Sequence, residues 1–186
     1  MGKKILEQEV SYIRDYLAGC KRVLDIGCGP GIFERELLGM DIVGVDSSQG
    51  MLDEAKKIAK NQFLLARAEE LPFPEASFDG VFFVTSLEFL QDYKRALSEV
   101  YRVLCGGGKM IALILNPESN YFKERIKKGG YIKENIKHAD LRAIRECAEG
   151  KFDLAEEYFL GIKDGKITDS KDPKIASLYV IRGIKR

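Results

Sequence analysis

The chain has 186 residues, with 30 Lys or Arg against 29 Asp or Glu, so its formal net charge is +1. This length predicts a single domain, residues 1–186, that is large enough to bury a core. The even charge balance argues against bulk nucleic acid or an anionic membrane as a partner. The longest apolar run, residues 110–115, is too short to cross a bilayer, and the first ten residues lack the apolar stretch of a signal peptide. We therefore expect a cytoplasmic protein, and nothing in the sequence indicates its oligomeric state.

The cysteine and histidine content argues against a metal site or a disulfide framework. The four cysteines, at positions 20, 28, 105 and 147, form no CxxC pair, and His138 is the only histidine. Structural zinc sites need several such ligands at short spacing, so the sequence predicts no bound metal.

The first predicted element is an amphipathic helix within residues 1–19. Apolar residues recur at helical spacing over residues 5–17, and Gly19 ends the pattern. Short runs rich in Val, Ile, Leu and Phe then alternate with helical patterns. In chain order these are KRVLDIG, a helix over 32–38, DIVGVD, a helix over 50–60, NQFLLARA, FDGVFFV, a helix over 92–104, and GKMIALIL. This alternation predicts a parallel sheet with helices on both faces.

The regular alternation stops after Asn116. Residues 117–137 are polar and basic, with Gly129 and Gly130 in the middle, and they predict a mobile, lid-like excursion over the C-terminal edge of the sheet. Its basic and aromatic side chains leave an anion or RNA contact as an alternative. We favour a solvated lid, because the net charge of the chain is near zero.

The last part of the chain predicts a helix and two further strands. The helix covers 139–148, and the strands cover 152–160 and 176–184. Residues 161–173 join the two strands, which we expect to pair as an antiparallel hairpin.

The most informative stretch is VLDIGCGPGIF, residues 23–33, in which three glycines lie between the first strand and the first helix of the alternation. Such a turn brings backbone N–H groups and a helix N-terminus close to a ligand. The competing interpretation is a dinucleotide site, whose fingerprint has a glycine at the position occupied here by Ile32. Pro30 also lacks an N–H that a pyrophosphate could use. Both residues argue against NAD.

Two aspartates accompany the glycines. Asp25 ends an apolar strand, where a negative charge needs a cation or donor, and an amino-acid ammonium group would suit it. Asp46 ends the second strand, 19 residues beyond Gly27, where a carboxylate can bind both hydroxyls of a ribose. The alternative for Asp46 is an N-cap on the following helix, with Ser47 and Ser48 as rival caps. We favour the ribose.

Five segments together resemble the class I S-adenosylmethionine-dependent methyltransferases, in the branch of small-molecule enzymes. In order, they are VLDIGCGPG, VGVDSS, AEELPF, FDGVFFVTSLEFL and YRVLCGGGKMIALIL. The resemblance implies an α/β fold, a Rossmann-like doubly wound sheet of seven mostly parallel strands with a C-terminal antiparallel hairpin. It also implies S-adenosylmethionine as cofactor and a small-molecule methyl acceptor.

The resemblance carries cofactor-binding roles over to particular positions. Those near the methionyl part of the cofactor are Asp25, Gly27, Cys28 and Gly29. Those at the ribose and adenosine are Asp46, Ser47 and Met51, those bordering the adenine are Ala68 and Glu69, and those on the floor of the pocket are Val84 and Thr85.

The chain departs from the family pattern at two places. Arg67 stands where family members often carry an aspartate that accepts from the adenine amino group, and a guanidinium cannot accept a hydrogen bond. Glu69, a backbone carbonyl or stacking by Arg67 are the alternatives. After the fourth strand the family often has histidines, whereas this chain has Glu88, which could be a base, a substrate clamp or a helix-start carboxylate.

Other candidates are weaker. His138 is either a catalytic group or a solvated surface histidine, and Tyr12 and Tyr16 either line a substrate pocket or pack on the sheet. Asn116-Pro117 is not the Asn-Pro-Pro-aromatic motif of enzymes that methylate amino groups on bases, because it lacks the second proline and follows the fifth strand instead of the fourth.

The predicted function is methyl transfer to a small-molecule acceptor. This reaction needs alignment of a nucleophile and exclusion of water, so the absence of a clear nucleophile–base pair is consistent with it. The alternatives are a cofactor-binding module that acts with a protein partner, an RNA or protein methyltransferase and, third, an NAD-dependent oxidoreductase.

Overall fold

The computed structural model describes residues 2–163 and 166–186. Eight strands form one sheet: β1 (Arg22–Ile26), β2 (Asp41–Asp46), β3 (Gln62–Leu65), β4 (Phe78–Val84), β5 (Leu104–Leu115), β6 (Phe152–Lys163), β7 (Lys166–Thr168) and β8 (Ala176–Lys185). Seven α-helices accompany it: α1 (Gly2–Tyr16), α2 (Ile32–Glu36), α3 (Gln49–Ile58), α4 (Tyr93–Val103), α5 (Asn120–Lys128), α6 (Tyr131–Asn135) and α7 (Leu141–Glu149). A short 3-10 helix, Leu87–Phe89, follows β4.

The strand order is β3-β2-β1-β4-β5-β8-β6-β7. Strands β1 to β5 are parallel, β8 pairs antiparallel with β5, and β6 pairs antiparallel with β8. The predicted Rossmann-like fold with a C-terminal antiparallel hairpin is therefore confirmed. The chain order reverses beside β1, which places the carboxyl ends of β1 and β4 at the crevice where open α/β sheets bind ligands.

The strand count differs from the sequence prediction, with eight strands where seven are expected. The additional strand is β7, which pairs antiparallel with β6 inside the predicted connection 161–173. Its three residues, Lys-Ile-Thr, are too few to show a strand pattern in the sequence.

Two apolar clusters cover the two faces of the sheet. Alternate residues of a strand point to opposite faces, so Leu24 lies in one cluster with α4 and α7, and Val23 lies in the other with α1. This explains why the central strands read as continuous apolar runs. Ile13 on α1 and Leu17 just after its end mark the buried stripe, and both are fully buried.

The excursion at 117–137 is helical, because α5 and α6 occupy most of it. Phe122 is buried and belongs to the same apolar cluster as α1, which anchors α5 to the protein. Gly129 and Gly130 connect the two helices with φ of 77° and 95° and extended ψ, a backbone region that is essentially restricted to glycine. The sequence of this segment is polar enough to resemble a loop, because α5 and α6 are short and each has only one apolar side.

The structure also bears on membranes and metals. No helix within 2–163 or 166–186 is long and apolar enough to cross a bilayer. The same ranges contain no group of three or more His, Cys, Asp or Glu side chains placed to hold a metal ion.

Candidate active site

The glycine turn after β1 is built against the end of β2. The amides of Gly27 and Cys28 donate to the carbonyl of Val45, at 2.8 and 3.1 Å. Gly27 has a φ of 79°, and a Cβ on it would lie 2.5 Å from Cβ of Ser86. Gly29 has a φ of 53°, but a Cβ there would meet nothing within 4 Å. Gly27 is thus required by packing, whereas Gly29 leaves open the space above the turn.

Asp46 connects the glycine turn to the second strand. Its carboxylate accepts from the amide of Gly29 at 2.9 Å and from the amide of Ser48 at 2.8 Å. The cap of α3 is Ser48, whose hydroxyl accepts from the Met51 amide at 3.4 Å. The N-cap alternative for Asp46 is therefore taken by Ser48. An ionised carboxylate has about four acceptor sites, so Asp46 can still accept from a ligand.

A cavity of about 190 Å³ opens beside the turn, and we call it the glycine-loop cavity. Five of the predicted cofactor residues line it, together with Arg67: Gly27, Asp46, Ser47, Ala68 and Glu69. The structure thus brings together residues at the ends of β1 and β2 and in the segment after β3. The most distant pair, Gly27 and Glu69, lie 42 positions apart in the sequence.

The other predicted cofactor residues lie around this cavity and do not line it. Asp25 and Cys28 are buried, at 2% and 5% exposure, and Met51 is 46% exposed on α3. Val84 and Thr85 line neighbouring cavities at the end of β4.

Asp25 has a buried acidic neighbour, Glu34 on α2, which the sequence analysis missed. Both side chains are 2% exposed, and no N–H of the described chain reaches Asp25 Oδ2 or either oxygen of Glu34. Burial, and then the adjacent carboxyl group, raises the pKa of Asp25 well above its usual range, and burial raises the pKa of Glu34 to about 7. An ammonium group bound beside Asp25 would counteract this shift, because a nearby positive charge favours the ionised carboxylate.

Glu69 is largely used by the protein itself. Its Oε1 accepts from the amides of Gln91 and Asp92, at 3.0 and 3.1 Å, which orders the segment before α4. Its Oε2 lies 3.5 Å from Nη2 of Arg67. With two amides and a guanidinium against its oxygens, Glu69 has less acceptor capacity left for the adenine amino group than Asp46 has for a ribose. The Arg67 guanidinium lies at the cavity with its side chain 58% exposed, which leaves stacking on a ring geometrically open.

Two further cavities flank the end of β4, and we call them the acceptor-side cavities. The outer cavity, about 740 Å³, lies between α1 and α2. The aromatic cavity, about 250 Å³, lies under α5 and α6 and is lined by Phe89, Tyr121 and Tyr131 together with aliphatic residues. Phe89 also lines the glycine-loop cavity, so the cofactor side and the acceptor side adjoin at this residue.

Thr85 and Glu9 line both acceptor-side cavities. Thr85 has a φ of 45°, which is unusual for a β-branched residue and marks a strained turn at the end of β4. The sequence analysis did not select Glu9, because it reads as one of several charged residues on an amphipathic helix. Its proximity to Thr85 depends on how α1 packs on the sheet.

The catalytic candidates Glu88 and His138 line none of these cavities. Glu88 is fully buried, with Oε1 accepting from the Leu115 amide at 2.9 Å, and burial raises its pKa to about 7. His138 is half-buried, with Nε2 2.9 Å from the carbonyl of Leu90 and its ring 4.7 Å from that of Tyr93. Both side chains connect segments of the chain to one another.

Tyr12 and Tyr16 line a different cavity, near the amino ends of the strands. The Tyr12 hydroxyl donates to Glu157, and the Tyr16 hydroxyl donates to the Gly183 carbonyl at 3.1 Å. The Arg182 guanidinium lies 5.9 Å from both ring centres. Of the two alternatives for these tyrosines, this geometry favours packing on the sheet.

With this geometry in place, the comparisons with known proteins can be interpreted. The family model described as "Methyltransferase domain" matches residues 24–112, which run from β1 to the middle of β5. A SAM-dependent methyltransferase from Thermotoga maritima, described as a possible histamine N-methyltransferase, has a similar structure. The TM-score is 0.82 with 27% identity, over 97% of this chain and 89% of that one.

The family model and the similar structure support a class I S-adenosylmethionine-dependent methyltransferase, with S-adenosylmethionine as its cofactor. Among curated relatives, the chain is 36% identical over 106 residues to the demethylmenaquinone methyltransferase of Thermus thermophilus, covering 52% of this chain and 48% of that protein. It is 39% identical over 89 residues to the malonyl-[acyl-carrier protein] O-methyltransferase of Yersinia pestis, covering 46% of this chain and 33% of that protein. The chain thus spans about half or less of these relatives.

Proposed function

We propose that this protein transfers the methyl group of S-adenosylmethionine to a small-molecule acceptor. The observation that carries the proposal is the contact at Phe89 between the glycine-loop cavity and a mostly apolar aromatic cavity of about 250 Å³. The two curated relatives are named for a menaquinone precursor and an acyl-carrier-protein substrate, which is consistent with small acceptor groups.

The cofactor fits the residues present. The open space above Gly29 admits a ligand against the backbone, and Asp46, which accepts from the Gly29 amide, lines the glycine-loop cavity. We assign the ribose hydroxyls to Asp46, the adenine border to Ala68 and Arg67, and the methionyl part to the turn from Gly27 to Gly29. When bound, the cofactor supplies a methyl group on a sulfonium, which makes that carbon electrophilic.

The protein then has to align the acceptor and exclude water. The aromatic cavity is covered by α5 and α6, and Tyr131 lies 5.5 Å from Phe89, ring centre to ring centre. We propose that the segment 117–137 acts as a lid over the acceptor. Its position over the aromatic cavity supports this role.

Isothermal titration with S-adenosylmethionine is the direct test. We expect saturable binding well below ~1 mM, the upper end of common enzyme affinities. No binding at that concentration would contradict the proposal. A screen of cell extract with methyl-labelled cofactor should then label a small molecule. Label on protein or RNA would instead support the alternative acceptor classes.

A further inference from the structure

Glu9 is a carboxylate that the cofactor site does not use. It lies one helical turn from Ile5 on α1, and both side chains line the aromatic cavity. Glu9 also lines the outer cavity, as Thr85 does. Glu9 therefore lies between the two acceptor-side cavities, both of which Thr85 at the end of β4 also lines.

Two of the other polar side chains of the aromatic cavity have partners within the protein. The Ser177 hydroxyl donates to the Leu160 carbonyl at 2.7 Å, and the Tyr121 hydroxyl accepts from Nε of Arg125 at 3.2 Å. Within the described ranges, no donor or cation offsets the burial of the Glu9 carboxylate, and this burial raises its pKa to about 7. Glu9 is thus half-buried in an apolar setting with its acceptor oxygens uncommitted.

The charged and titratable groups around Glu9 come from four elements. They are Lys3, Glu7 and Arg14 of α1, Arg35 and Glu36 of α2, and Tyr121 and Tyr131 of α5 and α6. Two of the cations are already engaged, since Arg35 pairs with Glu36 at 2.7 Å and Arg14 donates to the Glu36 carbonyl.

We propose that Glu9 is the catalytic base of the reaction and that the acceptor is an apolar, aromatic-sized molecule with a phenol- or enol-type hydroxyl. This inference rests on the proposed methyl transfer. In the step, the acceptor oxygen forms a bond to the methyl carbon as the bond from that carbon to sulfur breaks. The hydroxyl proton goes to Glu9, and the electron pair of the broken bond stays on sulfur, which leaves as the neutral sulfide.

The chemistry of the cavity selects this acceptor class. A carboxylate repels an anionic acceptor, and the remaining polar side chains of the aromatic cavity are hydroxyl groups, so Glu9 is the one carboxylate among its lining residues. A cationic amine would pair with the carboxylate, but it would be non-nucleophilic until it lost its proton. A neutral hydroxyl gains a hydrogen bond and, at the same time, a group that accepts its proton.

The test uses three probe ligands, titrated calorimetrically into the full chain saturated with S-adenosylhomocysteine. The probes are 2-naphthol, 2-methoxynaphthalene, which lacks the hydroxyl proton, and the cation of 1-naphthylmethylamine. We expect 2-naphthol to bind the wild type roughly 10-fold more tightly than its methyl ether, because a hydrogen bond to a charged group is lost in the ether.

Two variants complete the design. Glu9→Gln should reduce the preference for 2-naphthol over the ether to near 1. Asp15→Asn, which changes an exposed carboxylate on the same helix that lines neither acceptor-side cavity, should preserve it. In the wild type, 2-naphthol affinity should rise from pH 6 to pH 8 as Glu9 ionises, and in Glu9→Gln this rise should be absent. Binding of S-adenosylmethionine should be equal in all three proteins.

The outcomes separate this inference from the function on which it rests. Failure of S-adenosylmethionine to bind the wild type would contradict methyl transfer itself. Normal cofactor binding with no 2-naphthol binding, or with an unchanged preference in Glu9→Gln, would overturn the role of Glu9. Tighter binding of the naphthylmethylammonium cation than of 2-naphthol would replace the hydroxyl acceptor by an amine.

Discussion

At the scale of single residues, the two glycines of the turn serve different purposes. Gly27 packs against Ser86, whose hydroxyl donates to the Ile26 carbonyl at 2.7 Å, and Gly29 faces open space. The sequence motif does not distinguish the two glycines. The structure shows that packing requires Gly27, whereas Gly29 leaves room for a ligand.

This difference gives a matched pair of variants. Gly27→Ala should lower the free energy of unfolding by about 3 kcal/mol, from overpacking against Ser86 and from the left-handed backbone. Gly29→Ala should cost about 1 to 2 kcal/mol, from the backbone alone, yet weaken cofactor binding at least roughly 10-fold, because its methyl group occupies ligand space. Urea denaturation and calorimetry measure the two effects. Equal stability losses in the two variants would contradict the assignment.

Asp46 gives a second prediction at this scale. Asp46→Ala should weaken S-adenosylmethionine binding by roughly 1.5 to 3 kcal/mol, through loss of charged hydrogen bonds. It should also lower the melting temperature, because the amides of Gly29 and Ser48 lose their acceptor. Asp53→Ala removes an exposed carboxylate from α3 and should leave calorimetric binding unchanged. Unchanged binding in Asp46→Ala would show that the ribose assignment is wrong.

At the scale of elements, Asn116 joins the parallel part of the sheet to the C-terminal hairpin. Its side-chain amide donates to the carbonyls of Pro173 and Ala176, at 2.6 and 2.8 Å, and its Oδ1 accepts from the Glu118 amide at 3.0 Å. The residue is fully buried at the end of β5, just before the turn into α5. The Asn-Pro pair is therefore explained by its structural role.

Removing the side-chain hydrogen bonds of Asn116 should destabilise the fold. Asn116→Ala removes the side-chain donor from the buried carbonyl of Ala176 and from the partly buried carbonyl of Pro173, and it should lower the free energy of unfolding by about 3 kcal/mol. Asn120→Ala, four residues on and exposed, is the control and should change it by less than about 0.5 kcal/mol. Denaturation of both variants measures the difference, and a loss below 1 kcal/mol for Asn116→Ala would contradict this role.

The elements themselves were largely predictable. The helix at 93–103 and the strands on either side of it follow from hydrophobic periodicity, which depends only on neighbouring residues. The excursion at 117–137 was predicted less well, since α5 and α6 are short helices that depend on anchoring by Phe122. β7 was missed because a three-residue strand is defined by its partner β6.

At the scale of the whole molecule, several carboxyl groups are buried without a cation. Glu88 is fully buried, and burial raises its pKa to about 7 from a usual value of 4.5. Burial raises the pKa values of Asp25 and Glu34 as well. Between pH 4.5 and 7 the folded chain binds more protons than the unfolded chain, so its stability falls as the pH rises. The contribution of each group is fully present below its unfolded pKa.

We therefore expect the free energy of unfolding to decrease from pH 5 to pH 8. Glu88→Gln cannot ionise, so the wild type should lose up to about 3 kcal/mol relative to this variant over that range. Urea denaturation at several pH values measures both curves. Parallel curves would show that Glu88 does not ionise with the raised pKa.

The sequence alone determined the class of fold and the cofactor motifs, because strand–helix alternation and a glycine turn are local patterns. Five predicted cofactor residues do line the glycine-loop cavity. A cytoplasmic location stays a prediction. The tertiary structure decided which candidate base lines the acceptor-side cavities. Glu9, instead of Glu88 or His138, lines these cavities because helix packing, and not sequence spacing, brings α1 to the end of β4.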